Sequence, residues 1–300
     1  MKSSLVMVLL AGVLFGTIPV FTTPLSSSGV DAEVQVAWRL IVGAPVLILP
    51  ALLVERREFK EVRPSDLLVF VGIGGVLLGL FLAYIGSLSI GTPAATAVLL
   101  LYSQPIFSVL LSRLLLHEKI ARARSVALFL GIGGVLLVVN PLGLERGSGP
   151  GLALALSSGF LYAVYIVASG EMAKTNRFQS VTITSLSFGG ALLLLLPVGL
   201  LIQSFISHSA FSAGIVTLST AQVGLLLGLV AFGTVLPYLA LNRGLKNMRA
   251  SDAGITLLVE PVSVFALGYI FLGQVPGPNE YVGGVLIGIS IFVLYRYGEK

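Results

Sequence analysis

Residues 250–272 read ASDAGITLLVEPVSVFALGYIFL, and the fold is decided in this stretch. At a rise of about 1.5 Å per residue, an apolar run of this length crosses a bilayer core of roughly 30 Å. Glu260 sits at its centre, with Pro261 beside it. A carboxylate at that depth costs about 2.5 kcal/mol or more unless it is paired, protonated or wet. Proline removes one helix hydrogen bond and loosens the adjoining backbone. An intramembrane acid beside a helix break is a functional-site hypothesis. The plainer reading is a protonated or hydrogen-bonded structural glutamate.

The rest of the chain matches this span. Of 300 residues, 56% are hydrophobic and only 10% charged, against about 25% charged in soluble domains. The composition is that of an all-α, multi-pass membrane protein. Ten apolar segments can be marked, at 4–22, 33–54, 66–87, 93–115, 123–141, 150–170, 180–202, 220–242, 251–272 and 280–297. The first is expected to be a retained helix rather than a cleaved leader, because further spans follow it. There is no cysteine, and the two histidines, His117 and His208, lie in different connections. No metal or other cofactor is expected.

The net charge of +5 would suggest nucleic acid in a soluble protein. Here the basic residues cluster between apolar segments, so no nucleic-acid partner is expected, and anionic lipid and topology explain the charge. When the connections are numbered alternately, 16 of the 18 Lys and Arg residues fall on one side. Arg146 alone falls on the other, and Arg39 lies inside a span. The positive-inside rule places both termini in the cytoplasm, with the chain in an inner or plasma membrane.

The two halves also resemble each other. Residues 94–105 read AATAVLLLYSQP and residues 250–261 read ASDAGITLLVEP. Pro105 therefore matches Pro261, and Gln104 is the neutral twin of Glu260. Thirteen residues after each proline comes Glu118 or Gln274. Gly79 and Tyr84 are matched by Gly233 and Tyr238, and Gly43 and Pro50 by Gly190 and Pro197. Each half holds five spans, so the second must insert upside down, as in many secondary transporters. The expected repeats are residues 1–145 and 146–300. Glycines at helical spacing, such as Gly12 and Gly16, Gly72, Gly75 and Gly79, or Gly284 and Gly288, are expected at close helix contacts.

Together, Ala83–Tyr84, Ala94–Ala95, Pro105, the run LLSRLLLHEKI at 110–120 and the small-residue helix to Val139 resemble the EamA-type repeat of the drug/metabolite transporter superfamily. The repeat is met again from Pro237 to Leu294. The resemblance implies a ten-helix, inverted-repeat exporter of small metabolites, amino acids or drugs, working by alternating access. It also implies that Trp38 and Arg39 are the aromatic–Arg pair of the second helix. Glu118 is then the acid closing the fourth helix, replaced by Gln274 in the second half.

The residues themselves supply a candidate path. Glu260 can bind a proton or a cationic group. Arg39 can neutralise Glu260, bind an anion or snorkel to the interface. Tyr84, Tyr102, Gln104, Tyr162, Tyr238 and Trp38 either line the path or, for the aromatics, anchor at the interface. Thr17 precedes Pro19 at a helix distortion, and Pro105 and Pro261 mark helix breaks. Asn242, Arg243 and Asp252 read as solvated groups near a cytoplasmic end. Partners are a small-molecule substrate, membrane lipid and, as a second cargo, protons; the chain works as a monomer or a weak homodimer.

Catalysis finds no support. There is no Ser/His/Asp set, no HExxH and no Walker sequence. The competing readings are an exchanger of sugar phosphates or nucleotide sugars, an intramembrane lipid-modifying enzyme, and a non-transporting sensor or assembly subunit. The exchanger needs several intramembrane bases, where only Arg39 is present.

Overall fold

A computed structural model describes residues 2–118, 120–140, 148–175, 177–205 and 218–298. Lys119, Arg146 and His208 lie outside the described residues. Among the described residues, nine helices are long and apolar enough to cross a membrane. They are Ser3–Ser27 (span 1), Ala32–Val54 (span 2), Pro64–Ser89 (span 3), Ala94–Leu115 (span 4) and Arg122–Val139 (span 5), then Gly149–Lys174 (span 6), Thr220–Leu245 (span 8), Ala250–Leu272 (span 9) and Pro278–Tyr297 (span 10). The helix Ser180–Phe205 supplies span 7. The ten helices fall at the ten expected segments.

Five spans are interrupted, each just before a proline. Span 1 turns at Gly16 and Thr17 ahead of Pro19, and span 2 at Val42 ahead of Pro45. Span 4 turns at Tyr102 and Ser103 ahead of Pro105, and span 9 at Leu257 and Leu258 ahead of Pro261. Span 8 instead widens into a π-turn at Ala231–Val235, ahead of Pro237. The cause is common to all: proline gives no N–H to the carbonyl four residues back, so the ladder opens there.

The inverted repeat is visible in matching details, at a constant offset between halves. Spans 4 and 9 both end on a left-handed residue, His117 at φ 54° and Gly273 at φ 67°. The next N–H, of Glu118 or Gln274, then reaches the carbonyl of Ser112 or Gly268, at 3.1 Å in both halves. Spans 5 and 10 are twins and pack on each other. Their backbones meet at Gly134 and Gly283, where an added methyl on either would strike the backbone of the other helix. The repeat equivalent of that contact is Ser290 with Ala127, joined by a 2.6 Å hydrogen bond from the Ser290 hydroxyl to the Ala127 carbonyl. Span 3 packs on span 6, and its image, span 8, packs on span 1.

Small residues serve these contacts, though not all those expected. Gly12 and Gly16 abut Val259 and Ser263 of span 9. Gly74 and Gly190 bring spans 3 and 7 together. Gly72 and Gly288 instead face open space. Periodicity finds the small face of a helix but not its partner.

Polar clamps hold the connections. Asp66 accepts the Arg63 N–H at 2.9 Å, starting span 3. It also receives both Nη groups of Arg177 at 2.9 Å. That bidentate hydrogen bond raises the pKa of the Arg177 guanidinium and keeps it charged. Glu58 accepts from the Gln179 N–H and the Thr182 hydroxyl, tying the short helix Arg56–Glu61 to span 7.

Candidate functional site

The interruptions converge on one cavity of about 360 Å³. The broken spans 1, 2, 4, 8 and 9 contribute Ile18, Arg39, Tyr102, Tyr238 and Glu260 to its wall. Span 3 adds Phe81 and Tyr84, and span 6 adds Tyr162. At its far end lie Val139, Gln274 and Glu280, where span 5 finishes and span 10 starts. The cavity therefore runs from mid-span toward the face with few basic residues.

Arg39 is fixed by the break in span 8. Pro237 cannot donate to the Gly233 carbonyl, the usual helical acceptor of its position. Arg39 Nη2 takes that carbonyl at 3.1 Å. Its Nε donates to the Thr234 hydroxyl at 2.8 Å. The Thr234 hydroxyl in turn donates to the Leu229 carbonyl at 3.2 Å, five residues back along the π-turn. Phe81 lies under the guanidinium, 4.4 Å from ring centroid to Cζ. This arrangement suits a charge at that depth, because each contact offsets part of the lost hydration.

Glu260 is held differently. Its own N–H bonds the Leu257 carbonyl at 2.9 Å as span 9 restarts. Its carboxylate lines the cavity and has no hydrogen-bond or ion-pair partner among the described residues. Arg39 and Glu260 line the same cavity without an ion pair between them. A fixed cation and an unpartnered carboxylate thus share one small chamber.

Aromatic rings make its floor. Tyr238 is only 2% exposed and meets Phe15 and Phe188 edge-on at 5.1 Å, with Tyr165 at 5.3 Å. Beyond it Asn242 donates to the Tyr165 hydroxyl at 3.0 Å and to the Thr184 hydroxyl at 2.8 Å. Asn242 was expected in solvent; it is buried completely, a plug between spans 6, 7 and 8. Asp252 is likewise tied to a buried Arg124 rather than solvated.

Of the residues singled out from sequence, the cavity gathers Arg39, Tyr84, Tyr102, Tyr162, Tyr238, Glu260 and Pro261. It does not gather four others. Trp38 packs among Leu25, Val34 and Leu229. Thr17 turns its hydroxyl to the Leu14 carbonyl at 2.6 Å. Gln104 bonds the Ser108 hydroxyl at 2.9 Å and, with Pro105, is buried toward the other face. Phe15, Phe81 and Glu280 line the chamber without having been expected there. Phe81 was within reach of sequence reading, since it stands one turn before Tyr84 on the same helical face.

Comparison with known proteins adds a pattern of the same extent. The model of the EamA-like transporter family matches twice, over residues 2–140 and 149–296. The chain belongs to the EamA-like transporter family. Similar EamA-type proteins include the uncharacterized transporter YdfC of Bacillus subtilis, 28% identical over 86% of this chain and 80% of that protein. An uncharacterized transporter of Archaeoglobus fulgidus is 27% identical over 96% of this chain and 95% of its own length. A probable terminal-alkyne amino-acid exporter of Streptantibioticus cattleyicolor is 25% identical over 79% of this chain and 76% of that one. A solved crystal structure aligns with 98% of this EamA chain and 96% of its own, at TM-score 0.80 and 20% identity, a likeness of fold.

Proposed function

We propose that the protein is a secondary transporter that exports small amphipathic zwitterions by alternating access of its two inverted halves. The observation that carries this reading is that Arg39 and an unpartnered Glu260 line one cavity of about 360 Å³. That volume is at the small end of the range of about 300–1,000 Å³ for small-molecule sites. Arg39 keeps N–H groups beyond those given to Thr234 and Gly233, and these suit a cargo carboxylate. Glu260 suits its ammonium. Phe15, Leu80, Phe81 and Phe265 suit an apolar side chain. The amino-acid exporter among the relatives agrees with this chemistry.

The basic-rich face is the cytoplasmic one in this proposal, with both termini on that side of a cell membrane. Arg39, Tyr84, Tyr102, Tyr162, Tyr238 and Glu260 contact or surround the cargo. Trp38, Gln104 and Thr17 set the positions of the spans that carry them, and Pro105 and Pro261 set the breaks. Glu260 is also the group through which a proton gradient would act.

Efflux of radiolabelled amino acids from proteoliposomes, with and without a pH gradient, tests the reading. Apolar zwitterions are expected to move, and their esters and deaminated analogues to move far less. A folded protein with no flux for any zwitterion would overturn it. If protons are counter-transported through Glu260, the flux that remains in Glu260→Gln no longer responds to the gradient.

A further inference from the structure

The wall that span 9, its following connection and span 10 give to the open cavity is Glu260, Pro261, Val264, Phe265, Gln274 and Glu280. The repeat assigns each a twin: Gln104, Pro105, Ser108, Val109, Glu118 and Arg124. The correspondence is structural as well, since the same left-handed cap and 3.1 Å hydrogen bond follow each helix. The six twins lie together on the basic-rich side, yet none lines the open cavity. Ser108 and Arg124 are fully buried, and Gln104 is 3% exposed. An added methyl on Gly254 of span 9 would strike Ser108 and Gln104, so the two halves meet there without a gap.

Polar contacts keep this region shut. Arg124 reaches Asp252 with Nε at 2.6 Å and Nη2 at 3.3 Å, a two-pronged bond between spans 5 and 9. The Ser251 hydroxyl donates to Glu118 at 2.6 Å, joining the same two sides. Lys174, at the end of span 6, stands 3.8 Å from Glu118.

We infer that Gln104, Ser108, Val109, Glu118 and Arg124 wall a second, cytoplasm-facing cavity, and that the Arg124–Asp252 and Ser251–Glu118 bonds are the latch that closes it. This rests on the transporter reading. In an inverted repeat, the opposite state is obtained by letting each half adopt the arrangement of the other. The residues that open are then the twins of those open now. Their chemistry differs, because Arg124 stands where the outer cavity has Glu280. Asp252 presents to Arg124 the planar carboxylate that a zwitterionic cargo also carries. A cargo arriving from the cytoplasm therefore competes with Asp252 for one guanidinium, and binding loosens the latch.

The chain contains no cysteine, so single introduced cysteines report cleanly. Ser108→Cys reports the inner region and Val264→Cys the outer one, each read by its rate of reaction with a membrane-impermeant maleimide in proteoliposomes. With the latch intact, Val264→Cys reacts quickly and Ser108→Cys slowly. Asp252→Asn is expected to speed Ser108→Cys about tenfold or more and to slow Val264→Cys in step. L-leucine, the probe for the cargo, is expected to move both rates the same way with the latch intact. Should Asp252→Asn fail to insert, Ser251→Ala removes one latch bond and is expected to shift both rates in the same sense, by less. Rates that do not move together in any of these cases overturn the inference. Labelling needs no transport, so the two readings fail separately. Reciprocal labelling without flux would keep the latch and remove the transporter reading, whereas flux with uncoupled labelling would do the reverse.

Discussion

Arg39 and Glu260 are the two charges that the cavity holds at mid-span, and they are stabilised by different means. Arg39 has two hydrogen-bond acceptors and an aromatic ring, so its position is fixed. Glu260 has none of these among the described residues, so it can take up a partner from the cavity. If both hold one cargo, their contributions are not independent. Arg39→Ala and Glu260→Ala should each lower efflux at sub-saturating cargo by about 10- to 100-fold, the range for a hydrogen bond to a charged group. The double variant should lose little more than the worse single, and strictly additive losses would show two unconnected roles. Arg39→Lys keeps the charge but cannot span the Thr234 hydroxyl and the Gly233 carbonyl with a rigid fork, so an intermediate loss is expected. Glu260 announced itself in the sequence as an acid in an apolar span. The anchor of Arg39 did not, because a π-turn has no residue signature beyond the proline that follows it.

At the scale of single helices, proline placement was the legible signal. Every interrupted span breaks where a proline withholds its N–H, so the breaks at Thr17, Pro105 and Pro261 could be expected from residue order alone. What the freed carbonyl then bonds depends on which helix lies alongside, and local sequence carries no record of that. Span 8 makes the distinction measurable. Pro237→Ala returns an N–H donor to the Gly233 carbonyl and draws it away from Arg39. The helix should gain stability, by up to about 3 kcal/mol, while cargo affinity falls. A raised melting temperature in detergent with lowered efflux is the expected pair of results, and a fall in both would assign Pro237 to packing alone. The twin caps give a second case. His117 holds a left-handed conformation that its counterpart, Gly273, adopts without strain. His117→Gly should stabilise by about 1 kcal/mol and Gly273→Ala should destabilise by a similar amount, both read by thermal unfolding.

For the whole molecule, the sequence held the span count, the repeat and the charge asymmetry, and the structure agrees with the first two. It did not reveal Arg124–Asp252 or the Asn242 plug. Charged and amide residues within a turn or two of a helix end look the same whether they meet water or another helix, and pairing across 128 residues leaves no local trace. The closure of the basic-rich side follows from those contacts, whereas the proposed direction of export depends on which way the chain is inserted. A cavity open to the sparsely charged face releases cargo outside only if that face is external. In the proposed orientation it is external, because lysine and arginine resist translocation and gather on the opposite face. Two positions decide the matter. Arg57 of the short helix after span 2 has a side chain 92% exposed, and Val275, between spans 9 and 10, is 81% exposed. In intact cells an impermeant maleimide should label Val275→Cys and leave Arg57→Cys untouched until the membrane is permeabilised. The reverse pattern would invert the molecule, turn the open cavity toward the cytoplasm, and make the Arg124–Asp252 bond an outer gate. Export would then have to begin from the state seen here, with cargo entering the chamber of Arg39 and Glu260 directly from the cytoplasm.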